Sequence, residues 1–168
     1  MKKLLPLIVL CTVFYSSMAQ ITYFKAEWTS KDKQDLFSGI CKIETDDQHL
    51  IKGEIVWTYW AIDSADQAMM DMYKGKRGKS GIEFIEGNYF ADTHDMIFTG
   101  QSKTDPYEII GLDKYSLKLS ANKQVLYGST ATEGTNKGLF YATKLSVVEG
   151  EKEFLLASSK LKKSMNRK

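Results

Sequence analysis

The sequence predicts an all-β fold. The expected form is a single antiparallel up-and-down β-barrel or strongly curved sheet of about eight to nine strands, with one short inserted helix and a C-terminal helix. Three observations predict it. Apolar and polar residues alternate with period two through most of the chain. The breaks carry turn chemistry: Thr45-Asp46-Asp47, Asp92-Thr93-His94-Asp95, Asp105-Pro106, Ala121-Asn122-Lys123 and Glu133-Gly134-Thr135-Asn136. Glycines also recur inside the alternating runs, at Gly39, Gly53, Gly87, Gly100, Gly111, Gly128 and Gly138. Glycine weakens a strand, so the recurrence points to bends and bulges that let a sheet curl closed.

The first element is not part of the fold. Lys2-Lys3, the apolar run Leu4 to Tyr15 and the small residues of Ser17-Met18-Ala19 have the order of a secretory signal peptide over 1–19. The run is too short for a transmembrane helix, and bulky Leu10 before Cys11 argues against a lipoprotein site. The mature chain is expected to begin near Gln20, exported to the periplasm or medium, with no transmembrane span. Export removes ATP, nicotinamide cofactors and chromosomal DNA from its partners.

Strands are expected at 21–29, 35–44, 49–61, 81–90, 95–103, 107–112, 114–120, 124–132 and 138–148, a barrel domain spanning 20–148. Short breaks favour antiparallel hairpins between sequence neighbours. The run 49–61 is the most telling. Ile51, Gly53, Ile55, Trp57 and Tyr59 share one face; Lys52, Glu54, Val56, Thr58 and Trp60 share the other. A sheet with one dry face must cover it, and closure also removes sticky edges.

One segment breaks the β pattern. Residues 62–73 have a helical stripe, Ala65, Ala68, Met69 and Met72, with a capping box at Ser64 and Gln67. A basic, glycine-rich loop follows over 74–81, placing the insertion over one barrel mouth. The segment 149–168 is a basic tail or helix. Phe154, Leu155, Ala157, Leu161 and Met165 form an incomplete apolar stripe beside Lys160, Lys162, Lys163, Arg167 and Lys168. It has three open fates: packing on the barrel, weak contact with an anionic surface, or disorder.

Charge and composition exclude several classes. Residues 151–168 carry six basic and two acidic side chains, while 20–150 carry 15 basic and 19 acidic ones. Neither part has the strong positive field of a nucleic-acid binder. Cys41 is the lone cysteine of the mature chain, so no intramolecular disulfide forms. Its strand face, shared with Phe37 and Ile43, makes it a buried thiol rather than a nucleophile paired with His49.

Site chemistry is sparse. The chain has two histidines, His49 and His94, and no HxH or HExxH spacing, so no metal site is expected. Asp63, Asp66 and Asp71, like Asp46 and Asp47, lack the ligand spacing of a calcium loop. Gly75-Lys76-Arg77-Gly78-Lys79-Ser80 resembles a phosphate loop, but Tyr73 stands where that motif needs glycine and the loop follows a helix. Glu83 and Glu86 fall on opposite strand faces, which argues against a glycosidase pair. No cofactor is expected.

Aromatics are the functional lead. Strand aromatics such as Trp57, Tyr59, Phe84, Tyr89, Phe98, Tyr115, Tyr127, Phe140 and Tyr141 either fill a solid core or line a cavity. The candidate ligand-binding residues are Trp57, Tyr59, Tyr73, Lys76, Arg77, Tyr89 and Tyr115. Trp60, on the opposite face, is the candidate partner contact.

The export signal, strand meander, in-strand glycines and C-terminal helix resemble small calycin-like barrels, the lipocalin and avidin group. Lys52-Gly53-Glu54-Ile55-Val56-Trp57, Ile109-Ile110-Gly111-Leu112-Asp113-Lys114-Tyr115 and Lys137-Gly138-Leu139-Phe140-Tyr141 look like motifs of secreted bacterial β-domains. Where lipocalins carry Gly-x-Trp in the first strand, this chain has Ala26-Glu27-Trp28. The resemblance covers residues 21–148 in pattern and transfers no binding residue. The expectation is an exported non-catalytic binding module that holds a small apolar or amphipathic ligand in a barrel cavity. The alternatives are an envelope or protein-interaction domain with a solid core, and a hydrolase with an unrecognised site.

Overall fold

The computed structural model describes residues 19–31, 35–61, 71, 73–131 and 137–166. Within them, period-two alternation becomes a closed antiparallel up-and-down barrel of eight strands. The strands are β1 (Gln20–Ser30), β2 (Asp35–Thr45), β3 (Leu50–Ala61), β4 (Ser80–Phe90), β5 (Asp95–Thr104), β6 (Lys114–Leu119), β7 (Val125–Ala131) and β8 (Lys137–Lys144). β8 closes on β1 through pairs running from Ser30↔Gly138 to Phe24↔Lys144. Closure leaves no sheet edge unpaired. The signal-peptide pattern and the helix expected over 62–73 fall outside the described residues, apart from residue 19 and the end of the helix at Asp71 and Tyr73.

Every strand turns one face to the barrel interior, where Phe24, Ala26, Trp28, Cys41, Ile55, Trp57, Phe98, Leu126 and Phe140 pack as one cluster. Small residues make room for large ones across the interior. A Cβ on Gly39 would lie 2.6 Å from Trp57 Cε3, so β2 presents bare backbone to the indole. Cys41 is fully buried, and burial pushes its thiol far above the ordinary range. It pairs across the sheet with Ile55, remote from His49 in the β2–β3 turn.

The chain ends in helix α1 (Val147–Met165), whose N-cap Ser146 accepts a hydrogen bond from the Glu149 amide. Phe154, Ser158 and Leu161 turn inward against Tyr23, Ile40, Val56 and Ile82 on the outer face of β1–β4. The outward apolar residues of those strands therefore form a second, smaller core. Gly150 lets the helix touch the Tyr23 ring directly.

Two strand expectations are corrected. The run 138–148 stops at Lys144, and Val147 and Val148 open the helix. The run 107–112 is not a strand. Asp105-Pro106 turns the chain, and Glu108 takes a positive φ of 55°. Asp105 Oδ2 then accepts the Ile110 amide at 2.7 Å, and Lys103 Nζ donates to the Ile110 carbonyl. Side chains thus take the hydrogen bonds a ladder would have made, and Ile109 and Ile110 fold down, 8% and 6% exposed, onto the barrel mouth.

Candidate functional site

The two ends of the barrel differ. One is framed by four-residue hairpin turns at 46–49 and 91–94 and by the turn at 120–124. The other bears the longer connections, β3 to β4 and β5 to β6, whose loops Tyr73–Lys79 and Asp105–Asp113 meet across it. Loops on a rigid scaffold are where binding residues concentrate.

At the loop-bearing end lies a cavity of about 80 Å³. Its walls are aromatic: Trp28, Phe37, Trp57, Tyr59, Tyr73 and Tyr115. Phe37 is the hub, with ring centroids 5.4 Å from Trp28, 6.2 Å from Trp57 and 5.0 Å from Tyr59. The Trp28 and Trp57 rings meet it edge-on, at 78° and 75°. Tyr73 extends the wall outward, 5.3 Å from Tyr59.

Glu83 stands at the floor. β4 alternation points it inward with Gly81, Ile85 and Gly87, and it is wholly buried. Tyr115 Oη donates to its Oε2 at 2.6 Å, Trp57 Nε1 donates to the same oxygen at 3.0 Å, and the Asp113 amide donates to Oε1 at 3.3 Å. These donors satisfy the carboxylate without neutralising it; among the described residues no cation forms an ion pair with it. Burial pushes its carboxyl up to about 7, against the pull of the three donors, with Asp113 nearby adding to the rise. Tyr115, buried beside it, is raised well above the ordinary phenol range.

The local fold builds this floor. The β4–β5 register shifts between Phe84 and Ile85, so Gly100, not Gln101, faces Ile85. A bulge here re-aims the strand. A Cβ at Gly100 would overlap Glu83 Oε1, so only glycine leaves space for the carboxylate. The Gly100 amide donates to the Asp113 carbonyl at 2.8 Å, which anchors the same loop whose amide reaches Glu83. Asp35, at the rim, accepts the Tyr59 hydroxyl at 3.0 Å.

Of the candidate ligand-binding residues, the structure brings Trp57, Tyr59, Tyr73 and Tyr115 to this one cavity. It does not bring the others. Tyr89 shares the inward face of β4 with Glu83 but lies at the opposite mouth, its hydroxyl 3.2 Å from His94 Nδ1. Lys76 donates to the Glu108 carbonyl at 3.1 Å and sits 5.2 Å over the Tyr73 ring, tying the two loops together outside the cavity. Arg77 is exposed at a turn. Trp60 is 39% exposed on the outer face, its indole donating to Ser38 Oγ at 2.8 Å. Glu83 itself was missed as a site residue. The available signal was a lone acid on a face otherwise made of Gly81, Ile85 and Gly87.

The opposite mouth holds a wider hollow of about 460 Å³, with Phe24, Ile43 and Met96 below and Asp46, His49 and Lys123 around it. Its rim mixes both charge signs, and among the described residues no fully buried ionisable group lines it. A perturbed, buried titratable group in a concave site favours the Glu83 cavity. Comparison with family models, with curated proteins and with solved structures finds no match for this chain.

Proposed function

We propose that this protein is an exported, non-catalytic binding module that holds a small amphipathic ligand in the loop-bearing mouth of its barrel. One observation carries the reading: an aromatic-walled cavity floored by a buried carboxylate. Packing defects in a core are apolar and dry. A cavity with apolar walls and a few convergent polar groups is instead the common form of a ligand site. The hydroxyls of Tyr59 and Tyr73 add polar tips to the wall. The Lys2-Lys3, Leu4–Tyr15 and Ser17-Met18-Ala19 pattern supports export.

Native mass spectrometry of the protein purified gently from an exporting host tests this. The expected spectrum contains a co-purified small molecule at stoichiometric occupancy. Tyr73 is half-buried and stands at the rim, so Tyr73→Ala should lower that occupancy while the protein still unfolds in one cooperative transition. A clean apo mass, with no thermal shift by any compound of a small-molecule library, would overturn the reading.

A second reading has its own observation. Tyr127, Leu139 and Tyr141 are 45%, 56% and 52% exposed, and they neighbour one another on the outer face of β7 and β8. This supports a protein-interaction domain, whose mark in the same spectrum would be a dimer or a retained partner.

A further inference from the structure

We propose that the loop-end cavity receives a compact organic ammonium group, drawn in by the carboxylates of Glu83, Asp113 and Asp35 and held against the surrounding aromatic rings. This rests on the small-ligand reading above and assigns the charge and size of the ligand's buried end.

The sign of the charge follows from the lining. Glu83, Asp113 and Asp35 are its ionisable carboxyls, and among the described residues no Lys, Arg or His lines it. The described cations nearby have partners of their own. Lys76 reaches the Glu108 carbonyl and lies 5.2 Å over the Tyr73 ring at the rim, Lys79 lies 5.0 Å over the Tyr107 ring, and Lys103 pairs with Asp105. An anionic ligand would enter a space already negative. A neutral ligand would leave the buried Glu83 carboxyl to take up a proton, whereas a cation compensates its ionised form.

The walls point the same way. Aromatic faces carry the negative end of the ring quadrupole and attract cations, most strongly where water is excluded. Trp28, Phe37, Trp57, Tyr59, Tyr73 and Tyr115 surround the space. Carboxylates behind an aromatic cage supply both the long-range attraction and the short-range contact a cation needs.

Size limits the group. About 80 Å³ admits a few waters or a small alkylammonium head, not a drug-sized molecule. The rest of the ligand lies outward, along Tyr73 and the apolar Ile109-Ile110 segment.

Glu83 also couples binding to pH. Among the described residues the groups facing it are Tyr115, Trp57, Asp113 and Cys41, none of which is a cation. A bound ammonium favours the ionised carboxyl, so affinity should fall as pH drops below about 7.

The test is a calorimetric or tryptophan-fluorescence titration of the whole protein at pH 8 and low salt. The probes are butylammonium and tetramethylammonium, their neutral counterparts butan-1-ol and tert-butanol, and butyrate. At least one ammonium should bind about tenfold or more tighter than its neutral counterpart, and butyrate should not bind. Glu83→Gln should shrink that preference several-fold and flatten its pH dependence. Asp113→Asn should also shrink it, which keeps the test independent of one variant's folding. Neutral and ammonium probes binding alike would overturn the charge assignment while leaving the small-ligand reading intact. Failure of both ammonium probes at millimolar concentration would overturn it too, and the native mass spectrum would then judge the broader reading separately.

Discussion

Replacing Glu83 with glutamine should abolish a pH dependence of stability that the wild-type barrel carries between about pH 4.5 and pH 7. The carboxyl's ordinary value is 4.5, and burial raises it to about 7 in the folded protein. Within that window the unfolded chain is ionised at Glu83 while the folded chain holds the proton. The folded state thus binds more protons, and stability falls as pH rises. Below the window both states are protonated, and the contribution is fully present; above it both are ionised, and it is lost. At 1.36 kcal/mol per unit, the fall is roughly 3 kcal/mol. That is a large share of a typical domain's ~5–15 kcal/mol. Glutamine matches the carboxyl in volume and carries no charge. Its amide NH₂ meets one of the donors from Trp57, Tyr115 or Asp113, which shifts stability by an amount that does not depend on pH. The readout is therefore the difference between two slopes. Urea unfolding of both proteins, followed by tryptophan fluorescence from pH 4 to pH 8, should give curves separated by a constant offset in acid, with wild type falling relative to the variant by roughly 3 kcal/mol as pH rises to about 7. Parallel curves would refute the reasoning, because Glu83 would then titrate alike in folded and unfolded chains.

Other consequences are as direct. Gly100→Ala places a methyl group on Glu83 Oε1 and should lower stability by about 1–3 kcal/mol; an unchanged urea midpoint would show that the carboxylate has room to move. Phe154→Ala removes the largest buried side chain of α1, whose ring lies 6.3 Å from Tyr23, and should cost about 3 kcal/mol. If unfolding is unaffected, the helix is no part of the cooperative unit. Cys41 should resist a thiol reagent such as Ellman's in the native protein and react at once in urea, because it is buried and its thiolate is strongly disfavoured. Rapid native labelling would contradict that placement.

Legibility tracked the range of the interaction. Period-two alternation reports which side of a strand is apolar, and that is local information. It was enough to place Trp57, Tyr59, Cys41 and Tyr115 inside. It fails where side chains compete with the ladder. Ile109-Ile110 has strand composition, yet Asp105 and Lys103 take its backbone groups. The tail stripe of Phe154 and Leu161 was visible, but its partner surface, Tyr23, Ile40, Val56 and Ile82, is spread over four strands.

Alternation, turn residues and in-strand glycines thus determined by themselves that this chain forms a curved, antiparallel β structure with particular faces inward; closure of β8 on β1 was decided by the tertiary structure. Only the tertiary structure decided what those faces do. Alternation assigns a face but not a height along the barrel axis. Tyr89 and Glu83 share a face on one strand, and six residues of strand rise carry them to opposite mouths. The Glu83 site is assembled from Trp57, Gly100, Asp113 and Tyr115, supplied by strands and a loop far apart in sequence. Barrel closure and register set those neighbours, and the register rests on the summed pairing of all eight strands rather than on any single segment.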